Sequence, residues 1–191
     1  MKVQFLKMIC LFVLLACAAT AFGFDVGGAI GDKWHSLGGD KGFLGAPINN
    51  ETGFEDKHHG RYQNFFGGSI VWSPQTGAHV INHDQILAKW TSLSDKLLGY
   101  PVIDVTIAPD GNGRFVHCEN GSIYWSPETP ASEVHGAIRD KWAALFWERG
   151  RLGYPTSDEY QDWQYRRSNF AGGFIRWTPQ QGAHETFTST Y

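Results

Sequence analysis

The chain has 191 residues, with 16 basic against 19 acidic side chains and three cysteines. The mildly acidic balance argues against nucleic acid or an anionic membrane surface as partner. So few cysteines exclude a disulfide-stapled scaffold, leaving the fold to rest on packing, for which eight Trp, thirteen Phe and seven Tyr supply the area.

Residues 1–21 read as a secretory leader. Lys2 and Lys7 form a basic start, residues 8–15 an apolar run, and Ala19-Thr20-Ala21 a small-residue cleavage site. The run is too short to span a bilayer, and no later segment is long enough. The mature chain is therefore expected outside the cell. Losing the two leader lysines leaves 14 basic against 19 acidic residues, a net charge of −5. Leu14-Leu15-Ala16-Cys17 also loosely resembles a lipobox, which would instead anchor the chain through lipid on Cys17. With Cys10 and Cys17 gone, Cys118 stands alone and no internal disulfide can form.

The remainder is one pattern written three times, at intervals of 52 to 56 residues. A period of this size means stacked or ring-forming units that share a core. We place the domain at 22–185, with repeats at about 26–79, 82–132 and 135–184 and a tail at 186–191. Each copy opens with an apolar stripe at helical spacing: Ile30, Trp34, Leu37; Ile86, Trp90, Leu93; Ile138, Trp142, Leu145. These predict short helices with Trp on the buried face.

Next comes Leu44-Gly45-Ala46-Pro47, Leu98-Gly99-Tyr100-Pro101 or Leu152-Gly153-Tyr154-Pro155, which turns the chain from helix toward strand. A hairpin follows, with its turn expected at Gly67-Gly68, Asn120-Gly121 and Gly172-Gly173. Beyond it, Ile70/Trp72, Ile123/Trp125 and Ile175/Trp177 alternate onto one face, read as core. The opposite face varies between copies: Ser69/Val71, Ser122/Tyr124 and Phe174/Arg176. Cys118 shares its place with Phe65 and Phe170 and reads as a small core hydrophobe. After Ser/Thr-Pro, copies one and three carry Gly77-Ala78-His79 and Gly182-Ala183-His184, where copy two has Pro130-Ala131-Ser132.

These motifs together resemble the LGFP repeat family over nearly all of residues 26–185. The family's Phe is Ala46, Tyr100 and Tyr154 here, and copy two departs by lacking Gly-Ala-His. The resemblance implies propeller-like arrays in secreted bacterial proteins, where such repeats are appended to mycoloyltransferases and wall-degrading hydrolases and are thought to hold them on the cell wall. It thus implies a non-catalytic module that binds a cell-wall or extracellular polysaccharide. The expected fold is α+β: three tandem repeats of short helix plus β-hairpin in a propeller-like, pseudo-symmetric arrangement. Because the repeats fill the chain after the leader, the expectation is a free-standing lectin-like protein or one that acts in trans. Exposed terminal faces could pair two copies into a homo-oligomer.

No catalytic or cofactor signature is present: no H-E-x-x-H, no Cys-x-x-Cys, no G-x-S-x-G and no P-loop. We expect no enzyme activity, no cofactor and no metal. His58-His59 is read as a solvated loop, since adjacent strand residues face opposite ways. Asn50, Asp104 and Asp158 recur three residues after the proline, placed either to close Asx-turns or, in pairs, to attempt glycoside hydrolysis. A wall-active hydrolase and a protein-binding inhibitor or assembly subunit therefore stand as alternatives. His79 and His184 either tie their own loops or donate to a sugar from a rim. Trp147 and Trp163 match no Trp in the other copies, and Tyr160 and Tyr165 flank Trp163. Flat apolar faces beside polar groups suit sugar rings, and packing of a longer loop explains these aromatics equally. The candidate ligand-binding residues are thus Trp163, Tyr160, Trp147, His184 and His79. Asn50-Glu51-Thr52 and Asn120-Gly121-Ser122 are glycosylation sequons, usable in a eukaryotic source.

Overall fold

The structure is a computed structural model and describes residues 23–54 and 59–188. The leader, with Cys17, and His58 lie outside the described residues. Three similar units follow one another. The first has helix α1 (Gly28–Ser36) and strands β1 (Thr52–Gly53), β2 (Arg61–Phe65), β3 (Gly68–Ser73) and β4 (Gly77–Ile81). The second has α2 (Asp84–Leu97), β5 (Thr106–Ile107), β6 (Arg114–His117), β7 (Gly121–Ser126) and β8 (Thr129–His135). The third has α3 (Gly136–Ala144), β9 (Tyr160–Asp162), β10 (Tyr165–Phe170), β11 (Gly173–Thr178) and β12 (Gly182–Phe187). Each unit's strands form their own antiparallel four-stranded sheet in chain order, and none closes into a barrel.

The hairpin expected from the sequence is therefore the middle of a larger sheet. The Gly-Ala-His segment is no loop: it returns as a further strand, with Val71 opposite His79 and Arg176 opposite His184. The same pairing carries Thr186 and Phe187 into β12, so the domain extends past 185, and Phe187 packs against the third core. The hairpin turn sits one residue earlier than expected, on Phe66-Gly67, Glu119-Asn120 and Ala171-Gly172, since Phe65 pairs with Gly68 and Phe170 with Gly173. Gly67 and Gly172 are needed there because a Cβ would overlap the carbonyls of Phe43 and Arg151.

Two anchors of the repeat explain each other. The glycine of Leu-Gly-x-Pro is left-handed in every copy, with φ of 67°, 72° and 67° at Gly45, Gly99 and Gly153. Its carbonyl accepts the indole N–H of the helix Trp: Trp34 at 2.9 Å, Trp90 at 3.1 Å and Trp142 at 3.2 Å. A buried indole needs such a partner, so helix Trp and loop Gly recur together.

The units stack by sharing helices. Ile70, Ile123 and Ile175 lie fully buried under their own unit's helix. The opposite sheet face, variable in sequence, receives the next unit: Val71 packs with Ile86 and Trp90 of α2, and Tyr124 with Ile138 and Trp142 of α3. Both α2 and α3 are thus covered on two sides, and Trp90 and Trp142 are 3% and 0% exposed. Trp34, with no sheet before it among the described residues, is only partly buried. The strand Trp residues 72, 125 and 177 are also only partly buried, which corrects the sequence reading of them as core. They sit where the sheet face runs out past the helix N-terminus.

Candidate functional site

The recurring carboxylates hold the units together. Lys33 of unit one reaches Asp104 of unit two at 2.7 Å, and Lys89 of unit two reaches Asp158 of unit three at 2.7 Å. Each Asp also accepts a backbone N–H from the preceding sheet, Val80 to Asp104 and Glu133 to Asp158, both at 3.0 Å. Asn50, in the unit that no other described unit precedes, makes no such link among the described residues, and Lys141 turns back onto Glu185 of its own unit. Tyr154 follows the same logic: its hydroxyl accepts the Gly113 N–H of unit two and donates to Asp110. Ala46 stands at that position in unit one. Asp104 and Asp158 therefore close joints between units and do not make the expected Asx-turns.

His79 belongs to the same joint. One ring nitrogen lies 3.3 Å from Asp104 and the other 3.0 Å from the Thr76 carbonyl, so both are engaged within the protein. Burial alone would raise the Asp104 pKa, but hydrogen bonds from His79, Lys33 and the Val80 N–H hold it well below the usual carboxylate range. A depressed folded-state pKa adds stability that is full above the unfolded value of about 3.9 and is lost as pH falls through the folded one. Asp104→Asn is expected to lower the melting temperature at pH 7 and to flatten the wild type's decline between about pH 4 and pH 2. Parallel acid-melting curves for the two proteins would show that the joint does not depend on this charge.

The two joints differ in what fills them. At the first, a cavity of about 460 Å³ opens between the first sheet and α2. Phe54, Tyr62 and Trp90 give it aromatic walls, and Asn64, Ser69 and Thr91 offer polar groups. Phe54 and Tyr62 lie against each other at 4.8 Å. At the second joint the corresponding space is occupied by Trp147. Its indole contacts His117, Tyr124, Trp142 and Arg139, the counterparts of Asn64, Val71, Trp90 and Leu87 that line the open cavity. Burial, then the Arg139 charge, lowers the His117 pKa to about 4, keeping that contact neutral. Trp147 is thus a packing residue. The groove residues were not singled out from the sequence; the signal was present in the unmatched Trp147, which fills one joint and leaves its equivalent open.

Tyr160 and His184 lie on one face of the third sheet, at its opposite edges with Arg167 and Arg176 between them; this is the face that receives the next unit in the first two copies. There Arg167 lies over Phe174 at 3.8 Å, Arg176 replaces Val71 and Tyr124, and Asp162 bridges both guanidinium groups at 3.2 and 2.7 Å. Tyr160 accepts from Asn169, and the exposed His184 ring contacts the Gln181 carbonyl at 2.6 Å. Trp163 is 94% exposed at the tip of the β9–β10 turn with φ of 57°, at the edge of this face.

Cys118 is buried and its thiol is pushed up to about 12, chiefly by burial, so it serves packing as expected. His59 is exposed, and among the described residues no three His, Cys, Asp or Glu side chains gather to hold a metal ion. Asn50 and Asn120 are both exposed. One further pair is chemically distinctive. Glu148 is buried, neither carboxyl oxygen has a hydrogen-bond partner among the described residues, and burial raises its pKa. Nearby Asp110 is lowered: hydrogen bonds from Tyr154 and the backbone outweigh its burial. Carboxyl groups pushed apart in this way are the signature of acid–base pairs, yet both Glu148 oxygens are shielded from solvent.

No described helix is long and apolar enough to cross a membrane. No curated protein matches the chain. The LGFP repeat matches three times, over residues 44–94, 98–150 and 152–189. Each match begins at the Leu-Gly-x-Pro leucine, and the first two end in or just beyond the next unit's helix, the same sharing of helices between sheets that the structure displays. The chain belongs to the LGFP repeat family.

Proposed function

We propose that the protein is an exported, non-catalytic module that binds a cell-wall or extracellular polysaccharide, with its three units in a propeller-like succession. The observation that carries this reading is the open groove of the first joint. It is walled by aromatic rings, carries hydrogen-bonding groups at its sides and is about 460 Å³ in volume, the combination that suits one or two sugar rings. A core that only needed filling would be closed there as Trp147 closes the second joint.

Co-sedimentation with insoluble peptidoglycan, arabinogalactan and chitin tests this. Wild type is expected to be retained on at least one, without releasing soluble sugar. Tyr62→Ala removes a groove wall and should weaken retention roughly tenfold, since about 1.4 kcal/mol is a factor of ten. Trp163→Ala probes the third unit's edge, and its melting point should match wild type because Trp163 is exposed. Loss of binding in Trp163→Ala alone would move the site to the third unit. Sugar release abolished by Glu148→Gln or Asp110→Asn would establish a hydrolase instead.

A further inference from the structure

A small pocket occurs twice, at equivalent places in units one and three. In unit one it is lined by Gly28, Ala29, Ile30, Glu51, Arg61 and Trp72, and in unit three by His135, Gly136, Ala137, Ile138, Glu159 and Trp177. Each has a volume of about 270 Å³. Five lining positions correspond, the helix start Gly-Ala-Ile, the Glu and the strand Trp; Arg61 completes the first pocket and His135 the second, where Arg166 stands behind Glu159. Glu51 and Glu159 each lie four positions after the Leu-Gly-x-Pro proline, and Arg61 and Arg166 each stand opposite the strand Trp in the sheet. Each Glu is paired with its Arg. Both helices begin Gly-Ala-Ile, and neither has a side chain capping its first turn.

Unit two shows that the fold does not require this opening. There Val105 takes the place of the Glu, and α2 begins Asp84-Gln85-Ile86. His83 lies on the Trp125 ring at 4.2 Å, covering the face that is open in the other two units. In unit three the corresponding His135 is drawn aside, 2.7 Å from Glu133 and 3.5 Å from Glu159. The strand Trp is common to all copies, so packing explains its presence. Packing does not explain why an ion pair and a small-residue helix start accompany it only where no histidine lies on its ring.

We propose that these two pockets are paired subsites, each taking one neutral pyranose ring of a polysaccharide, so that the chain grips its ligand at two separated points. The half-open indole offers a flat apolar face to a sugar ring. The Glu–Arg pair presents both acceptors and donors to hydroxyl groups, and in unit three His135 and Glu133 join it, so neither pocket offers an unpaired cation and a neutral ring is favoured over an anionic one. The first-turn amides, which no side chain caps, add donors. A pocket of this size admits a single ring, and the covered Trp125 between them separates the two subsites. This rests on the polysaccharide-binding reading, and adds the ligand's charge class and the two-point attachment.

The test is indole NMR on isotopically labelled full chain, titrated with neutral hexasaccharides built from glucose, mannose, galactose and N-acetylglucosamine. The indole N–H signals of Trp72 and Trp177 should move with one hexasaccharide while that of Trp125 stays. Gly27→His copies the cover found in unit two; Gly27 has extended backbone and open space at its Cβ. Ala137→Trp fills the exposed rim of the other pocket. Each should silence its own indole, with melting temperatures unchanged. Because two-point attachment multiplies affinity by about 10² or more on a polymer, either variant alone should reduce retention on the matching insoluble polysaccharide at least tenfold. Hexasaccharide binding that is sensitive to Tyr62→Ala but moves neither indole overturns the paired subsites and leaves the groove. Wild type that binds neither the panel nor the polymers overturns both.

Discussion

Trp142→Ala should remove about 3–5 kcal/mol of stability, the usual range for emptying a large aromatic site. The ring is fully buried and touches Tyr124 at 4.7 Å, Trp147 at 5.1 Å and Phe170 at 5.3 Å, which come from the sheets of two units and the segment after α3. Truncation leaves a cavity that these three cannot all close, and it orphans the Gly153 carbonyl that the indole satisfied. Against a typical total of about 5–15 kcal/mol, such a loss takes a large part of what holds the fold. Trp125→Ala is the control. That residue is only partly buried, under His83, and its loss should cost about 1–2 kcal/mol, at most part of the value for full burial. Urea titration of both variants decides the matter: equal losses would mean that helix and strand Trp carry the same load.

How much of this was legible in the sequence follows from which contacts are local to a unit. Helix stripe, Leu-Gly-x-Pro and hairpin are all local, and they appear in place. Cys118 was readable as core because Phe65 and Phe170 share its position. The joints were harder, because their partners lie one unit apart. Lys33 and Asp104 are separated by 71 residues, and Lys89 and Asp158 by 69. Read within one copy, Asp104 looks like a turn residue and Val71 like a surface residue; both are explained only by the next unit. Asn50 and Ala46 held the clue, since they depart from the pattern in the one copy that no other described unit precedes. The groove and the twin pockets were illegible for a related reason. They are defined by what does not fill them, and Trp147 and His83 reveal them by filling the equivalent spaces elsewhere.

The same position in three sheets then gives a graded expectation for how stacking supports the fold. Val71, Tyr124 and Arg176 are equivalent, each on the face opposite the Ile/Trp side. Tyr124 is 2% exposed, stacked on Phe115 at 4.9 Å and packed edge-on against Trp142 and Tyr154. Burial, chiefly, raises its hydroxyl pKa, so it stays neutral in the joint. By analogy with other large aromatics, Tyr124→Ala should cost about 3–5 kcal/mol. Val71 is 1% exposed but loses only two methyl groups, facing a joint that already contains a cavity, and Val71→Ala should cost about 2 kcal/mol. Arg176 faces no described unit and is held by Asp162 over Phe174 and Tyr165. Arg176→Ala should change stability by no more than about 0.5–1 kcal/mol, the worth of a partly exposed ion pair. Tyr124→Ala should also separate the melting of units one and two from that of unit three, since a stack is held by nearest-neighbour joints. Calorimetry would show this as a broadened or divided transition. A single sharp transition in Tyr124→Ala, at the wild-type temperature, would mean that the units do not lean on one another through this face.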